Sequence, residues 1–127
     1  MKKIKTLFIT LIILISIPLY AFGGHLDVIQ VELKEGCAFN QYLAIAKDFN
    51  DKWAKDYDYH AEILMPVQSN DLKSLFWVGR SSGAVAFGKA WEAWVRDLGK
   101  SDSVAAKLNT RFENCGKNMS RRSYGVY

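Results

Sequence analysis

A strand that is apolar on both faces belongs inside a sheet with something covering each side, and this chain contains one such segment. Lys73-Ser74-Leu75-Phe76-Trp77-Val78 puts Leu75 and Trp77 on one face and Phe76 and Val78 on the other. Asn70-Asp71 before it supplies turn residues. Gly79-Arg80-Ser81-Ser82-Gly83 after it leads into a helical run carrying Phe87, Trp91 and Trp94. Three of the four tryptophans fall between Asn70 and Trp94. The rest of the chain is expected to pack around this turn, central strand, loop and amphipathic helix.

The flanking periodicities supply those partners. Asp27–Lys34 alternates, with Ile29, Val31 and Leu33 on one face and Gln30, Glu32 and Lys34 on the other, which predicts a half-buried strand. Phe39–Tyr57 has helical spacing, with Phe39, Tyr42, Leu43, Ala46, Phe49, Asn50 and Trp53 on one stripe. Tyr59–Val67 returns to period two: Tyr59, Ala61, Ile63, Met65 and Val67 share a face, and Pro66 ends the strand or marks it as an edge. Ser69-Asn70-Asp71 makes the hairpin turn. Ser81 or Ser82 is the expected cap of the helix that reaches Leu98, with Phe87, Trp91, Trp94 or Val95, and Leu98 inward and Gly99 closing it. Ser101 or Ser103 caps a shorter helix carrying Val104, Leu108, Phe112 and Cys115, and Met119–Tyr127 forms the last strand. The order β-α-β-β-α-α-β is the ferredoxin-like split βαβ pattern with one helix added. It implies an α+β fold, a four-stranded antiparallel sheet with its helices on one face.

Residues 1–23 read differently. Met1-Lys2-Lys3-Ile4-Lys5 is basic, Thr6–Tyr20 is uncharged and rich in Ile and Leu, and Pro18, Ala21 and Gly23-Gly24 follow. That sequence of regions is a secretory signal peptide, expected to be cut after Gly23, with Ala21 as the alternative. An uncleaved anchor helix is the competing reading, against which Pro18 and the glycines argue. A single domain over residues 24–127 remains, secreted or periplasmic and without stable membrane association. Loss of Lys2, Lys3 and Lys5 lowers the formal charge from +4 to +1. The remaining basic residues are dispersed apart from Arg121-Arg122, so no nucleic-acid footprint is present.

Two cysteines in an exported chain most often form one disulfide. Cys37 follows the first strand and Cys115 precedes the last. The ferredoxin-like order makes those strands antiparallel neighbours, which brings the two thiols together.

Three constellations are candidates for chemistry. Glu32, His60 and Glu62 share the sheet face away from the helices, either as a solvated or dimer-facing polar surface or, less simply, as an acid–base group. No metal-ligand spacing supports a metal there. His25 would become an N-terminal chelator only if cleavage fell after Gly24, which bulky Phe22 disfavours. Trp53, Trp77 and Trp91, with Trp94, are first of all core, yet they also suit a slot for a flat apolar guest. Arg80, beside the helix N-terminus, is placed to hold an acidic group on that guest. No nucleophile triad is visible, and no cofactor is assigned.

With these elements in place, Asp27–Tyr127 resembles the dimeric α/β-barrel superfamily, through its element order and the Phe76-Trp77-Val78-Gly79 strand followed by an aromatic helix. The resemblance implies a homodimer whose bare sheets face each other and a pocket between helices and sheet. It also implies kinship with antibiotic-biosynthesis-type monooxygenases and haem-degrading relatives. The haem-degrading branch uses an Asn, Trp and His set; Trp77 matches the tryptophan, but no histidine lies in the helix that follows. Two functions follow from different classes: a non-enzymatic ligand-binding or interaction domain, and a cofactor-free or haem-type monooxygenase-like enzyme.

Overall fold

The computed structural model describes residues 24–127, so the signal-peptide reading lies outside the described residues. Alternation and helical spacing produce β1 (Gly24–Leu33), α1 (Phe39–Lys52), β2 (His60–Leu64), β3 (Ser74–Ser81), α2 (Ala84–Leu98), α3 (Val104–Cys115) and β4 (Gly116–Val126). The sheet order is β2-β3-β1-β4, and all three pairings are antiparallel. β3 is therefore internal, as its two apolar faces require, and β1 and β4 are neighbours. This is the ferredoxin-like arrangement with α3 as the additional helix. Among the described residues no helix is long and apolar enough to cross a membrane.

The core lies between the helices and the odd-numbered face of the central strands. Val31, Leu75 and Trp77 meet Tyr42, Ile45, Ala46 and Phe49 of α1 and Ala105 and Leu108 of α3. Ile45, not Leu43, fills the α1 stripe; Leu43 is partly exposed. Helix α1 stops at Lys52, five residues before its apolar spacing runs out, and Ala54–Asp56 forms a 3₁₀ turn. Trp53 leaves helical geometry there, and both Trp53 and Ala54 are buried. Consecutive helical residues diverge by about 100°, so a continued helix would not have sent both inward.

β2 is shorter than its alternation suggested, because Pro66 ends pairing, and Met65 and Val67 stand exposed. The Asn50 amide on α1 donates to the Ala61 carbonyl and accepts from the Ala61 N–H, both at 2.9 Å, which satisfies backbone groups of this edge strand. Asp71 accepts from the N–H groups of Lys73 (2.8 Å) and Ser74 (3.3 Å), so the hairpin turn is held as its residues predict.

Neither Ser81 nor Ser82 caps α2. β3 runs on to Ser81 because β1, starting at Gly24, pairs with it as far as His25↔Ser81. Gly83 occupies the N-cap, and Ser82 turns to Asp58. Ser103 does cap α3, accepting from the Ala106 N–H at 3.0 Å. β4 begins at Gly116, three residues earlier than expected. Its register slips between Gln30 and Val31, whose partners are Ser120 and Asn118, so Met119 is an extra, bulged residue.

Cys37 and Cys115 form a disulfide, with Cα atoms 5.1 Å apart. The Lys34 N–H donates to the Cys115 carbonyl at 2.9 Å, so backbone and cystine together tie the end of β1 to the start of β4.

Candidate ligand site

Helix α2 presents small residues to the core. Ala90 and Ala93 are its buried positions, while Phe87, Trp91 and Trp94 splay around them. Alanine at the contact and large rings beside it leave a cavity of about 250 Å³ between α2, α1, α3 and the sheet. Trp53, Trp77 and Trp91 all line it, together with Trp94, Phe49 and Phe112. Phe49 is the hub: its ring lies 4.8 Å from Trp77, 5.3 Å from Trp53 and 5.4 Å from Trp94, mostly edge to face. Such geometry is the favoured one for aromatic pairs. Trp91 is 43% exposed and stands at the rim, so the expectation of an inward Trp91 is only half met. Val95 is exposed outright.

The polar floor of the cavity comes from residues not singled out in the sequence. Asp27 of β1 is 0% exposed, on the same face as Ile29 and Val31. Arg121 of β4 grips it with two parallel bonds, Nε to Oδ1 and Nη2 to Oδ2, each 2.7 Å. The Tyr59 hydroxyl donates to Asp27 Oδ2 at 3.0 Å and accepts from Trp77 Nε1–H at 2.8 Å. The buried carboxylate is thus paired and hydrogen-bonded, as burial of a charge demands. Burial, and then the negative charge of Asp27, push the Tyr59 phenol above the ordinary tyrosine range, against the Trp77 bond. Tyr42, at the wall, is pushed up to about 12 by burial. Both phenols are therefore neutral at physiological pH.

Arg121 also reaches α2. Its guanidinium carbon lies 4.2 Å from the centre of the Trp91 ring, a cation–π contact that spans the mouth from sheet to helix. At the inner wall the Trp53 indole N–H donates to Asp97 Oδ2 at 3.3 Å, which holds the Asp97 carboxyl below the usual range.

Arg80 does not join this site. It lies on the opposite face of the sheet, where its Nε donates to Glu62 at 2.9 Å. Position 80 has the parity of Phe76 and Val78, and continuation of β3 to Ser81 keeps that parity, whereas a loop starting at Gly79 would have left it free. On the same outer face His60 is the cross-strand partner of Arg80, and Glu62 of Val78. Glu32 pairs with Ser74, six positions along β3 from Arg80 and hence about 20 Å away. The trio Glu32, His60 and Glu62 is therefore not one cluster. Among the described residues no group of three His, Cys, Asp or Glu side chains is arranged to hold a metal ion.

One signal for the missed residues was present: Asp27 is an acidic residue on the apolar parity of β1. Tyr59 comes close to Gly79 only in the folded structure, where a Cβ on Gly79 would fall 1.8 Å from the Tyr59 hydroxyl oxygen. Arg121 had no such signal. The bulge at Met119 is what brings both Asn118 and Arg121, three apart, to the cavity face.

Fold and site together define a ferredoxin-like α+β domain with an aromatic slot floored by an Asp–Arg pair. No family model matches the chain, and no characterised protein is similar to it in sequence. Among solved structures it is similar to a dimeric protein of unknown function and ferredoxin-like fold from Bacteroides fragilis NCTC 9343. That likeness has 6% identity over 81% of this chain and 94% of the other, with a TM-score of 0.44. The fold assignment rests on this chain's own strand order and helix placement.

Proposed function

We propose that the chain is an exported, non-enzymatic ligand-binding domain that takes a flat apolar molecule into the slot between helices and sheet. The observation that carries this reading is the 250 Å³ cavity walled by Trp53, Trp77 and Trp91 with one compact polar patch in its floor. Ligand pockets are typically apolar with a few convergent polar groups, and this volume, a little under the roughly 300–1,000 Å³ of drug-sized sites, suits a molecule of two fused rings. Binding is favoured over acid–base catalysis because Asp27, the one carboxylate of the lining among the described residues, has both oxygens engaged. The monooxygenase-like alternative rests on fold resemblance alone, and a fold does not carry a reaction.

The test separates packing from binding. Trp91→Phe removes a half-exposed ring, so stability falls by less than about 1.5 kcal/mol. Affinity for bicyclic aromatic compounds, read by quenching of tryptophan fluorescence, falls at least severalfold. Stability loss with no saturable quenching by any such compound would leave the rings as core and nothing more.

Export and pairing belong to the same proposal. Mass spectrometry of the mature chain is expected to show a start near Gly24 with the cystine closed; recovery of the intact leader in membranes would contradict an exported domain with its leader removed. The outer sheet face carries Leu64, Tyr124 and Val126 exposed, with Phe76 between them half-buried. A second copy laid sheet to sheet would cover this strip, since a twofold pairing presents the same patch from both sides. Sedimentation should give a dimer at micromolar concentration, and a clean monomer would rule that pairing out.

A further inference from the structure

Resting on the slot reading, we infer that the guest carries a neutral hydrogen-bond acceptor, a ketone- or quinone-type carbonyl, held by the free edge of Arg121, and that carboxylates are rejected. Guanidinium has five N–H donors in a planar fork. Two of them, on Nε and Nη2, are spent on Asp27. The other three have no partner among the described residues, and Arg121 lines the cavity. Its side chain is 37% exposed, and its guanidinium carbon lies 4.2 Å from the centre of the Trp91 ring and 6.0 Å from that of Phe87, so the bidentate grip on Asp27 and these rings hold the group at the mouth.

Arg121 is the charged donor of the lining, though the Tyr42 hydroxyl, the Trp91 and Trp94 indole N–H groups and the Asn118 side-chain amide also make no hydrogen bond among the described residues. The Tyr59 hydroxyl donates its hydrogen bond to Asp27 and accepts from Trp77. Asn109 donates to Glu113 at 2.8 Å, and Asn118 stands exposed at the rim. The unspent capacity of the slot is thus mostly donor capacity, of which Arg121 supplies the charged part held in place by Asp27, and its complement is an acceptor on the guest. Charge sets the second condition. Among the described residues that line the slot, Asp27 and Arg121 are the only charged ones, and they cancel. A carboxylate guest would share one guanidinium with an anion that is itself fully buried, and like charges in a shared low-dielectric site disfavour each other. A carbonyl oxygen takes the same donors without that repulsion.

Three isosteric probes test this by calorimetry on the full mature chain: 2-acetylnaphthalene, 2-isopropenylnaphthalene and 2-naphthoate. The ketone should bind about tenfold or more tighter than the hydrocarbon, as one hydrogen bond to a charged donor allows. It should also bind at least about tenfold tighter than the carboxylate. In Arg121→Met the ketone-to-hydrocarbon ratio should fall to about one; the ratio is read within the variant, so a general change in affinity cancels. Should that variant strand Asp27 and fail to fold, Asp27→Leu/Arg121→Met removes both charges and reads the same ratio. A wild-type ratio near one overturns the acceptor, and naphthoate binding as tightly as the ketone overturns neutrality. A ratio that survives loss of Arg121 overturns that residue as the holder. Failure of all three probes to bind overturns the slot itself and this inference with it, which distinguishes that outcome from the others.

Discussion

At Gly79 the absence of a side chain is what allows the Tyr59 ring to pass close to the strand and reach Asp27. A methyl group there would sit 1.8 Å from the hydroxyl oxygen and 2.1 Å from the ring carbon that bears it. Backbone pairing to Ala61 and Asp27 on either side fixes position 79, so it is Tyr59 that would have to leave. Gly79→Ala should therefore cost about 2–4 kcal/mol, from overpacking together with the loss of two buried hydrogen bonds. Urea denaturation measures it, and a loss under about 0.5 kcal/mol would show that the Tyr59–Asp27–Trp77 network contributes little. At this scale the sequence was partly legible. The tryptophans could be assigned to one side of the sheet from parity and helical spacing. Arg80 could not be placed without knowing where β3 ends. Arg121 could not be placed without the bulge, since a side chain's face is set by register and one inserted residue reverses it.

Elements were easier to foresee than their ends. Among the described residues β1, β2, β3 and the three helices follow from apolar period and turn residues, because burying an apolar stripe or face contributes most of the free energy that forms them, whereas β4, exposed along most of its length, is held by its pairing with β1. Boundaries depend on what lies across the fold. β3 extends because β1 is long enough to pair with it, and α1 stops early because Trp53 and Ala54 are both wanted in the core. The cystine between β1's exit and β4's entry acts on these elements directly. It closes a span of 78 residues, for which the chain-entropy account gives about 4–5 kcal/mol at most. Reduction is expected to lower the denaturation midpoint by a corresponding amount, with the slope steepened as the unfolded chain expands. An unchanged midpoint after verified reduction would mean that the Lys34–Cys115 backbone bond and strand pairing already hold this corner.

The described residues form a sheet with helices on one face and none of them covering the other, and this topology was readable because β-α-β-β-α-α-β leaves few ways to close without a crossover fault. The slot was less readable: aromatic stripes predict contact between helices and sheet, but whether large rings interlock or leave a gap depends on side-chain shape in three dimensions. Here the gap exists because α2 meets the core through Ala90 and Ala93 and holds its tryptophans to either side. That gap as a binding site is the central claim, and the indole N–H resonances test it most directly. Trp53 and Trp77 donate these protons to Asp97 and Tyr59 inside the wall, and Trp91 stands at the mouth. On titration with 2-acetylnaphthalene the account predicts saturable shifts of the Trp77 and Trp91 indole signals, while amides of His60 and Glu62 on the outer face stay in place. Shifts confined to the outer face, or no saturable shift of any indole, would contradict it.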